Sequence, residues 1–236
     1  MKTLQLTAKD FKQSESYWKD YIGSEDLSDF QGNIEIEENL GYVNFAKIKV
    51  SGFIFAKAGT GIKAGEGIEA GWGIKAGWGI EAGEGIEAGS GIEAGEGIEA
   101  GTGIEAGSGI EAGSGIKAGW GIEAGSGIKA GEGIEAGWGI KAGEGIEAGS
   151  GIEAGLSITC KLLLSFKYKL FAGICYWRDV TDDEKTVTCG KLDGHVEYGI
   201  VKEVGMPDEA IAKEVNLSGK EISKEVDGKK YSATID

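Results

Sequence analysis

The sequence predicts a mainly β protein: a parallel β-solenoid in the form of a triangular β-helix with about 18 residues per coil, an N-terminal helical cap and a small C-terminal β-rich domain. Three observations support this prediction. A six-residue motif repeats without a break over residues 59–155, every copy places a large and a small apolar residue two positions apart, and lysines and glutamates alternate in a regular way. The chain has 236 residues, with 44 Gly, 1 Pro and a net charge of -15.

Each repeat has the pattern Gly-x-Gly-Ile-(Lys/Glu)-Ala, and its isoleucines recur on every sixth residue from Ile62 to Ile152, which makes 16 copies. An amphipathic helix needs apolar residues about every 3.6 positions and loses about 1 kcal/mol for each interior Gly, so the pattern excludes a helix. On a strand, Ile and Ala face one side and the charged residue between them faces the other. Gly-x-Gly supplies the permissive backbone of a corner. Short strands and corners at a fixed period are typical of a solenoid.

Two other structures are compatible with a Gly-rich repeat. Disorder is disfavoured, because disordered Gly-rich segments lack a regular large apolar residue. A bundle of polyproline-II segments stays a minor alternative, since Gly or Ala also occurs at every third position. The motif resembles the hexapeptide repeat of left-handed β-helix acyltransferases, but its small residue follows the aliphatic one instead of preceding it, which leaves the handedness open. Those enzymes use a histidine at a coil edge. The single histidine, His195, lies beyond the repeats, so acyl transfer is not expected.

Residues 1–33 are predicted to form the helical cap. Thr7 followed by Asp10 offers an N-cap, and Phe11, Trp18 and Ile22 share one helical face. A helix over about residues 8–21 would cover the first coil, because the terminal coils of a solenoid need a cover.

The solenoid is predicted to span residues 34–172, beyond the perfect hexads of residues 59–155. Counting back by six, Ile54 and Ile48 continue the pattern after a slip of two residues. Counting on from the last perfect copy gives three further aliphatic residues, Ile158, Leu164 and Leu170. The end coils carry fewer glycines and larger side chains, as expected where a sheet edge must be closed.

The charges favour three hexads per coil. Residues one coil apart stack about 4.8 Å apart, where like charges repel and opposite charges attract. Coils of two hexads would stack Lys63 on Lys75, whereas coils of three give each lysine of the repeats glutamate neighbours. Three hexads also stack Trp120 on Trp138. The expected lysine–glutamate stacks are Lys63 with Glu81, Lys75 with Glu93, Lys117 with Glu99 and Glu135, Lys129 with Glu111 and Glu147, and Lys141 with Glu123.

Residues 173–236 are predicted to form a β-rich accessory or dimerisation domain. An Asp-Gly pair suits the left-handed positions of a type I′ turn, and Pro favours the first position of a helix. The expected elements are strands over residues 173–205 with an acidic turn at 182–184, a short helix from Pro207 to Val215, and a hairpin of residues 221–226 and 229–235 around Asp227-Gly228.

The sequence contains no motif that indicates an enzyme, a cofactor site or a metal site. Cys160, Cys175, Cys189 and His195 could form a zinc site, but no Cys-x-x-Cys pair occurs and buried free thiols are the default. Asp179, Asp182, Asp183 and Glu184 fit a solvated turn better than an acid–base site. No phosphate-binding loop motif occurs. We therefore expect a protein without enzymatic activity, cofactor or metal.

The composition also narrows the choice of partner and compartment. With 24 Lys+Arg against 39 Asp+Glu and no basic cluster, the chain is a poor ligand for DNA or RNA. No apolar run approaches the roughly 20 residues that cross a bilayer, and the first residues lack the apolar core of a signal peptide. Three cysteines fit a reducing compartment. We expect a location in the host bacterial cytoplasm, with no direct contact to membrane or nucleic acid.

Most of the net charge lies on the repeats, where 16 Glu and 5 Lys occur over residues 59–155. Evenly spaced carboxylates on a rigid rod could compete for a nucleic-acid-binding cleft, or could simply keep the rod soluble. Four tryptophans occupy the outward corner between the glycines, which is typical of an interface, of packing on a flanking segment or of a homodimer contact. The candidate partner-binding residues are Trp72, Trp78, Trp120, Trp138, Glu87, Glu93, Glu105, Glu111 and Glu123.

The repeat array, between the segments FKQSESYWKDYIG and KYKLFAGICYWR, resembles hexad-repeat β-helix proteins of phages and mobile elements, some of which are regarded as anti-CRISPR or anti-defence factors. The resemblance spans roughly residues 11–178. It implies a non-enzymatic inhibitor that binds a host defence protein or nuclease complex. The alternative is a self-assembling structural or surface-binding rod. An ice-binding rod is disfavoured, because only Thr60 and Thr102 occupy the variable corner and no flat threonine row can form.

Overall fold

A computed structural model of the chain describes residues 1–207, 221–226 and 229–234, the last two ranges as backbone only. Short 3₁₀ turns cover Ala8–Asp10 and Asp183–Lys185. The strands are β1 (Thr3–Leu6), β2 (Phe11–Gln13), β3 (Lys19–Tyr21), β4 (Asn33–Ile36), β5 (Gly41–Phe45), β6 (Ile48–Val50), β7 (Ile54–Ala56), β8 (Thr60–Ala64), β9 (Ile68–Ala70), β10 (Ile74–Ala76), β11 (Ile80–Ala82), β12 (Ile86–Ala88), β13 (Ile92–Ala94), β14 (Ile98–Ala100), β15 (Ile104–Ala106), β16 (Ile110–Ala112), β17 (Ile116–Ala118), β18 (Ile122–Ala124), β19 (Ile128–Ala130), β20 (Ile134–Ala136), β21 (Ile140–Ala142), β22 (Ile146–Ala148), β23 (Ile152–Ala154), β24 (Ile158–Thr159), β25 (Leu163–Ala172), β26 (Thr186–Cys189), β27 (Lys191–Tyr198), β28 (Ile200–Glu203), β29 (Glu221–Val226) and β30 (Lys229–Thr234).

The strands of the repeats form a parallel solenoid with three faces. Each strand pairs with the third strand after it, so that Ile86 of β12 aligns with Ile104 of β15, 18 residues later. The predicted coil of three hexads is therefore confirmed. The first face contains β7, β10, β13, β16, β19 and β22, and the second contains β8, β11, β14, β17, β20 and β23. The third face is a sheet of nine strands, β6, β9, β12, β15, β18, β21, β24, β26 and β28, which gives about nine coils.

The core is a ladder of isoleucine and alanine side chains. Every Ile and Ala of the repeats is buried, as the two-residue alternation predicts. Burying one Ile side chain contributes about 1.5–3 kcal/mol, so the ladder is the main source of stability along the rod. The residue between Ile and Ala points outward on all three faces.

The two glycines of each hexad have different roles. A Cβ on Gly107, which follows Ala106, would overlap the backbone carbonyl of Gly89 in the preceding coil, so only Gly fits there. A Cβ on Gly109 would lie 3.2 Å or more from its neighbours, at 3.3 Å from the Gly127 oxygen, which is tight but not an overlap. The second glycine therefore matters mainly because it leaves the outer surface bare.

The predicted N-terminal helix over residues 8–21 is wrong. Thr7 and Asp10 do bond to each other, with the Thr7 N–H donating to Asp10 Oδ2 at 2.7 Å, but they enclose a single 3₁₀ turn. Strands β2 and β3 then form an antiparallel hairpin that pairs Phe11 with Tyr21. The two aromatic rings lie on the same side of the hairpin and contact Phe45, and this packing outweighs a weak local preference for helix.

Strand pairing crosses both predicted domain boundaries, at residues 33/34 and 172/173. In the N-terminal segment, β1 pairs in parallel with β4, and Phe30 forms a bridge to Val50 of the third face. In the C-terminal segment, β26 and β28 extend the third face and β27 pairs with β25. The solenoid therefore begins at β1 and continues to β28, with an insertion after Gly173.

The predicted slip of two residues before Ile62 is confirmed. Ile54 aligns with Ile74, a separation of 20 residues instead of 18. The extra residues widen one corner, where Asn39 and Gly59 take left-handed φ angles of 60° and 73°. Thr60 was expected at an outward corner, but it is fully buried there, and its hydroxyl donates to the Glu37 carbonyl at 2.7 Å.

The predicted C-terminal hairpin is confirmed in its strands. β29 and β30 pair antiparallel, with Glu221 opposite Thr234 and Val226 opposite Lys229. The Asp227-Gly228 turn and the predicted helix, whose residues after Pro207 run from 208 to 215, lie outside the described residues.

Candidate protein-binding groove

Each outer face carries three longitudinal rows of residues. The corner residue between the glycines forms one row, the glycine before Ile forms the second, and the Lys or Glu after Ile forms the third. Because the glycine has no side chain, the middle row is the floor of a shallow groove. On the third face the floor includes Gly85, Gly103 and Gly121, and the walls include Glu84, Thr102 and Trp120 on one side and Glu87, Glu105 and Glu123 on the other. We call this the third-face groove.

One wall of the third-face groove is a column of glutamates. Glu87 aligns with Glu105, and Glu105 aligns with Glu123. The column is neutralised at its two ends only: Lys141 forms an ion pair with Glu123, and Lys49 forms one with Glu69, the carboxylate before Glu87. The hydrogen bond from Lys49 lowers the pKa of Glu69, and the bond to Glu123 raises the pKa of Lys141. In the described part of the chain, Glu87 and Glu105 have no cationic partner within 4.0 Å.

The first and second faces differ, because their lysines alternate with their glutamates. The predicted lysine–glutamate stacks are present there. Lys63 contacts Glu81, and the measured nitrogen–oxygen distances are 2.6 Å for Lys75–Glu93, 3.1 Å for Lys117–Glu135 and 4.0 Å for Lys129–Glu147. Within the repeats, stacked pairs of unpaired glutamates occur only beside the third-face groove, at Glu87–Glu105 and at the corner pair Glu66–Glu84.

The other wall of the groove continues into a pair of stacked tryptophans. The rings of Trp120 and Trp138 lie 5.6 Å apart between centroids and are nearly parallel, at 12°. The predicted stack is therefore confirmed. The two residues are 55% and 49% exposed, so the pair presents a large aromatic surface to solvent. Such a surface binds guanidinium and other cations by stacking, and it lies next to Glu123 and the unpaired column.

The remaining candidate residues lie elsewhere on the rod. Trp72 is exposed at the corner of the first face, where Glu93 and Glu111 stack, and Glu93 is already paired with Lys75. Trp78 packs against Tyr42 at 5.7 Å, which accounts for its position without a partner. Burial, together with the charges of nearby glutamates, raises the pKa of Tyr42 to about 12.

The sequence analysis missed the corner glutamates Glu66 and Glu84, which complete the acidic groove. The signal was available, because the 18-residue period leads from Glu66 through Glu84 and Thr102 to Trp120. The groove therefore combines two adjacent rows of one face, which become visible only when the corner row and the strand row are traced together.

The cysteines and the acidic turn have other environments. Cys160 and Cys189 are buried in neighbouring coils of the third face, and burial raises the pKa of Cys160 to about 12. Cys175 lies in the insertion after Gly173. Glu184 of the acidic turn accepts a hydrogen bond from Arg178 at 2.7 Å, which lowers its pKa to about 2. Among the described residues, no group of His, Cys, Asp and Glu side chains has an arrangement suited to a metal ion.

No helix in the described part of the chain has the length and hydrophobicity needed to cross a membrane. No protein-family model matches the sequence, and searches among curated proteins and solved structures find no significant match.

Proposed function

We propose that the protein is a non-enzymatic inhibitor that binds a bacterial nucleic-acid-dependent defence complex, with its third-face groove seated on the complex's basic nucleic-acid cleft. The observation that carries the proposal is the column Glu87–Glu105, uncompensated by any cation in the described chain and bordered by the stacked Trp120 and Trp138. The site of action would be the host bacterial cytoplasm.

The electrostatics support a cationic partner. Stacked like charges about 4.8 Å apart repel each other, and a partner that places Lys or Arg between them removes this repulsion. The field of an acidic rod also accelerates encounter with a basic cleft. The solenoid holds the carboxylates on rigid strands, so little ordering entropy is lost when they bind.

The tryptophan pair supports a protein surface as the partner. Exposed aromatic residues dominate the binding energy of many interfaces, where single Trp residues contribute about 2 kcal/mol or more. A cleft that binds nucleic acid offers Arg side chains for phosphates and aromatic contacts for bases, and both kinds of group can stack on indole rings. The groove thus has one row for cations and one row for stacking.

The self-assembling or ice-binding rod receives less support. Thr60 is buried, so within the repeats a single threonine, Thr102, remains at a variable corner. Stacking of many copies end to end would also need two open ends, and the N-terminal end of the solenoid is covered by Phe11 and Leu27.

The test is a matched pair of charge-reversal variants. Glu87→Lys with Glu105→Lys changes the groove, and Glu99→Lys with Glu153→Lys makes the same change in net charge at unpaired positions of the second face. Proteins captured from a bacterial lysate by the wild-type chain, after nuclease treatment, are identified by mass spectrometry. We then measure their affinity for each variant and their release of labelled nucleic acid.

We expect the groove variant to bind at least 100-fold more weakly and to release no nucleic acid, while the second-face variant stays within a few-fold of wild type. Far-UV circular dichroism and thermal unfolding establish that both variants are folded. Equal losses in the two variants would show that only the overall charge matters, and unchanged binding in both would refute the groove as the binding site.

A further inference from the structure

The N-terminal end of the solenoid is closed. Leu6 of β1, at 2% exposure, extends the inward ladder of the first face and aligns with Ile36. Phe11 from the β2–β3 hairpin and Leu27 are buried over the same end of the core. The closure is built entirely from residues of the first coil and its hairpin.

The C-terminal end is open in the single chain. In the last coil, Leu192 and Val196 align with Leu164 and Leu170, and Val201 aligns with Val187. The three residues of the preceding coil are fully buried, yet Val201 is 41% exposed and Leu192 and Val196 are only partly covered. The inward ladder therefore reaches the end of the described solenoid without a lid.

The surface around this end is apolar and nearly neutral. Tyr198, Ile200 and Val204 are all exposed beside Val201. Residues 186–207 carry two lysines against three acidic residues, whereas residues 59–155 carry 16 Glu against 5 Lys. The end strands β27 and β28 also present backbone groups at an edge, which is a template for further pairing.

We infer that this end is the interface with a second copy of the chain, so that two solenoids meet at their C-terminal ends in a two-fold dimer. Two rods side by side would bring their acidic faces together, while contact through the nearly neutral ends keeps those faces apart. A two-fold contact uses the same patch on both chains and closes the assembly. Because the other end is covered, growth stops at two copies.

The dimer places two third-face grooves in one particle, and its interface contains none of the groove residues. The interface is therefore independent of the partner proposed for the groove. The variant with Glu87→Lys and Glu105→Lys should dimerise like wild type, so failure of one proposal leaves the other testable.

The test uses the full chain. Sedimentation velocity over a wide range of concentration should give a particle of twice the 24.6 kDa chain mass. Val201→Lys places a charge in the interface, and Ile22→Lys is the matched control, an exposed aliphatic residue at the closed end. We expect Val201→Lys to raise the dimer dissociation constant at least tenfold and Ile22→Lys to leave it unchanged. Unchanged thermal unfolding establishes that both variants are folded.

Hydrogen exchange identifies what covers the open end. If a second copy covers it, protection of the β28 amides should rise with protein concentration. Protection that is independent of concentration would mean that residues 208–236 of the same chain cover the end, and this would overturn the inference. A monomer at every concentration, or assemblies larger than two, would overturn it as well.

Discussion

The two ends of the solenoid continue the same inward ladder but terminate it in different ways. At the first end, Phe11 and Tyr21 fold back over Phe45 and cover the core. At the last end, Val201 is left in solvent within the single chain. A repeat buries its apolar face only against its neighbours, so each end needs a solution of its own. The difference means that one end stabilises the monomer and the other is available for association.

The largest effect is expected at the closed end. Phe11→Ala removes a ring that lies 5.8 Å from both Phe45 and Tyr21, and the cavity should lower the free energy of unfolding by about 3–5 kcal/mol. Val201→Ala at the open end should cost less than about 1 kcal/mol, because its side chain is already partly hydrated. Urea unfolding at low protein concentration, followed by circular dichroism, measures both. Equal losses would mean that the two ends are covered alike.

Thiol reactivity should sharpen the comparison from the side of the open end. Because burial raises the pKa of Cys160 to about 12, the reactive thiolate is scarce at pH 8, and its fraction rises about tenfold per pH unit up to that pKa. We expect Cys160 to be alkylated at least about 100-fold more slowly than Cys175 at pH 8, and its rate to climb as the pH is raised. Cys189, one coil nearer the end, should react at an intermediate rate.

Alkylation by iodoacetamide, followed by peptide mass spectrometry, gives the three rates. In concentrated urea the three cysteines should react alike, which controls for local sequence. If Cys160 reacted as fast as Cys175 in the folded chain, the last coils would have to open readily, and the end would be frayed instead of merely uncovered.

The smallest effect is expected at the corner insertions, which also differ between the two halves. The insertion near the closed end is filled by Thr60, whose hydroxyl donates to the Glu37 carbonyl and accepts the Leu40 N–H at 3.1 Å. Thr60→Val leaves both backbone groups without a partner and should cost about 1–3 kcal/mol. Thr102→Val, at a partly exposed corner, should change stability by less than about 0.5 kcal/mol. Similar midpoints for the two variants in thermal unfolding would contradict the role given to Thr60.

The repeats could be predicted because a strict period makes each residue's environment the same in every coil. The Lys–Glu pairing on the first and second faces followed from the spacing alone, since stacked charges must alternate to attract. The N-terminal segment has no such period. Phe11 and Trp18 fit one helical face, and Phe11 also fits a hairpin with Tyr21, so local spacing could not choose between the two.

The groove was predicted in part for a related reason. The column Glu87–Glu105–Glu123 and the Trp120–Trp138 stack follow from the 18-residue period. Which corner row lies beside which strand row depends on how the chain turns at each corner. For that reason Glu66 and Glu84 were missed, and Trp78 was counted as exposed although it packs on Tyr42.

By itself the sequence determined the coil of 18 residues, the buried ladder and the outward charges, because these depend only on residues separated by a constant interval. The tertiary structure alone decided how the ladder ends and which rows combine into a groove. Those features depend on contacts such as Phe11 with Phe45, between segments that share no period. Such contacts form when apolar surface is removed from water by whichever segment can reach it, and local propensity does not encode that choice.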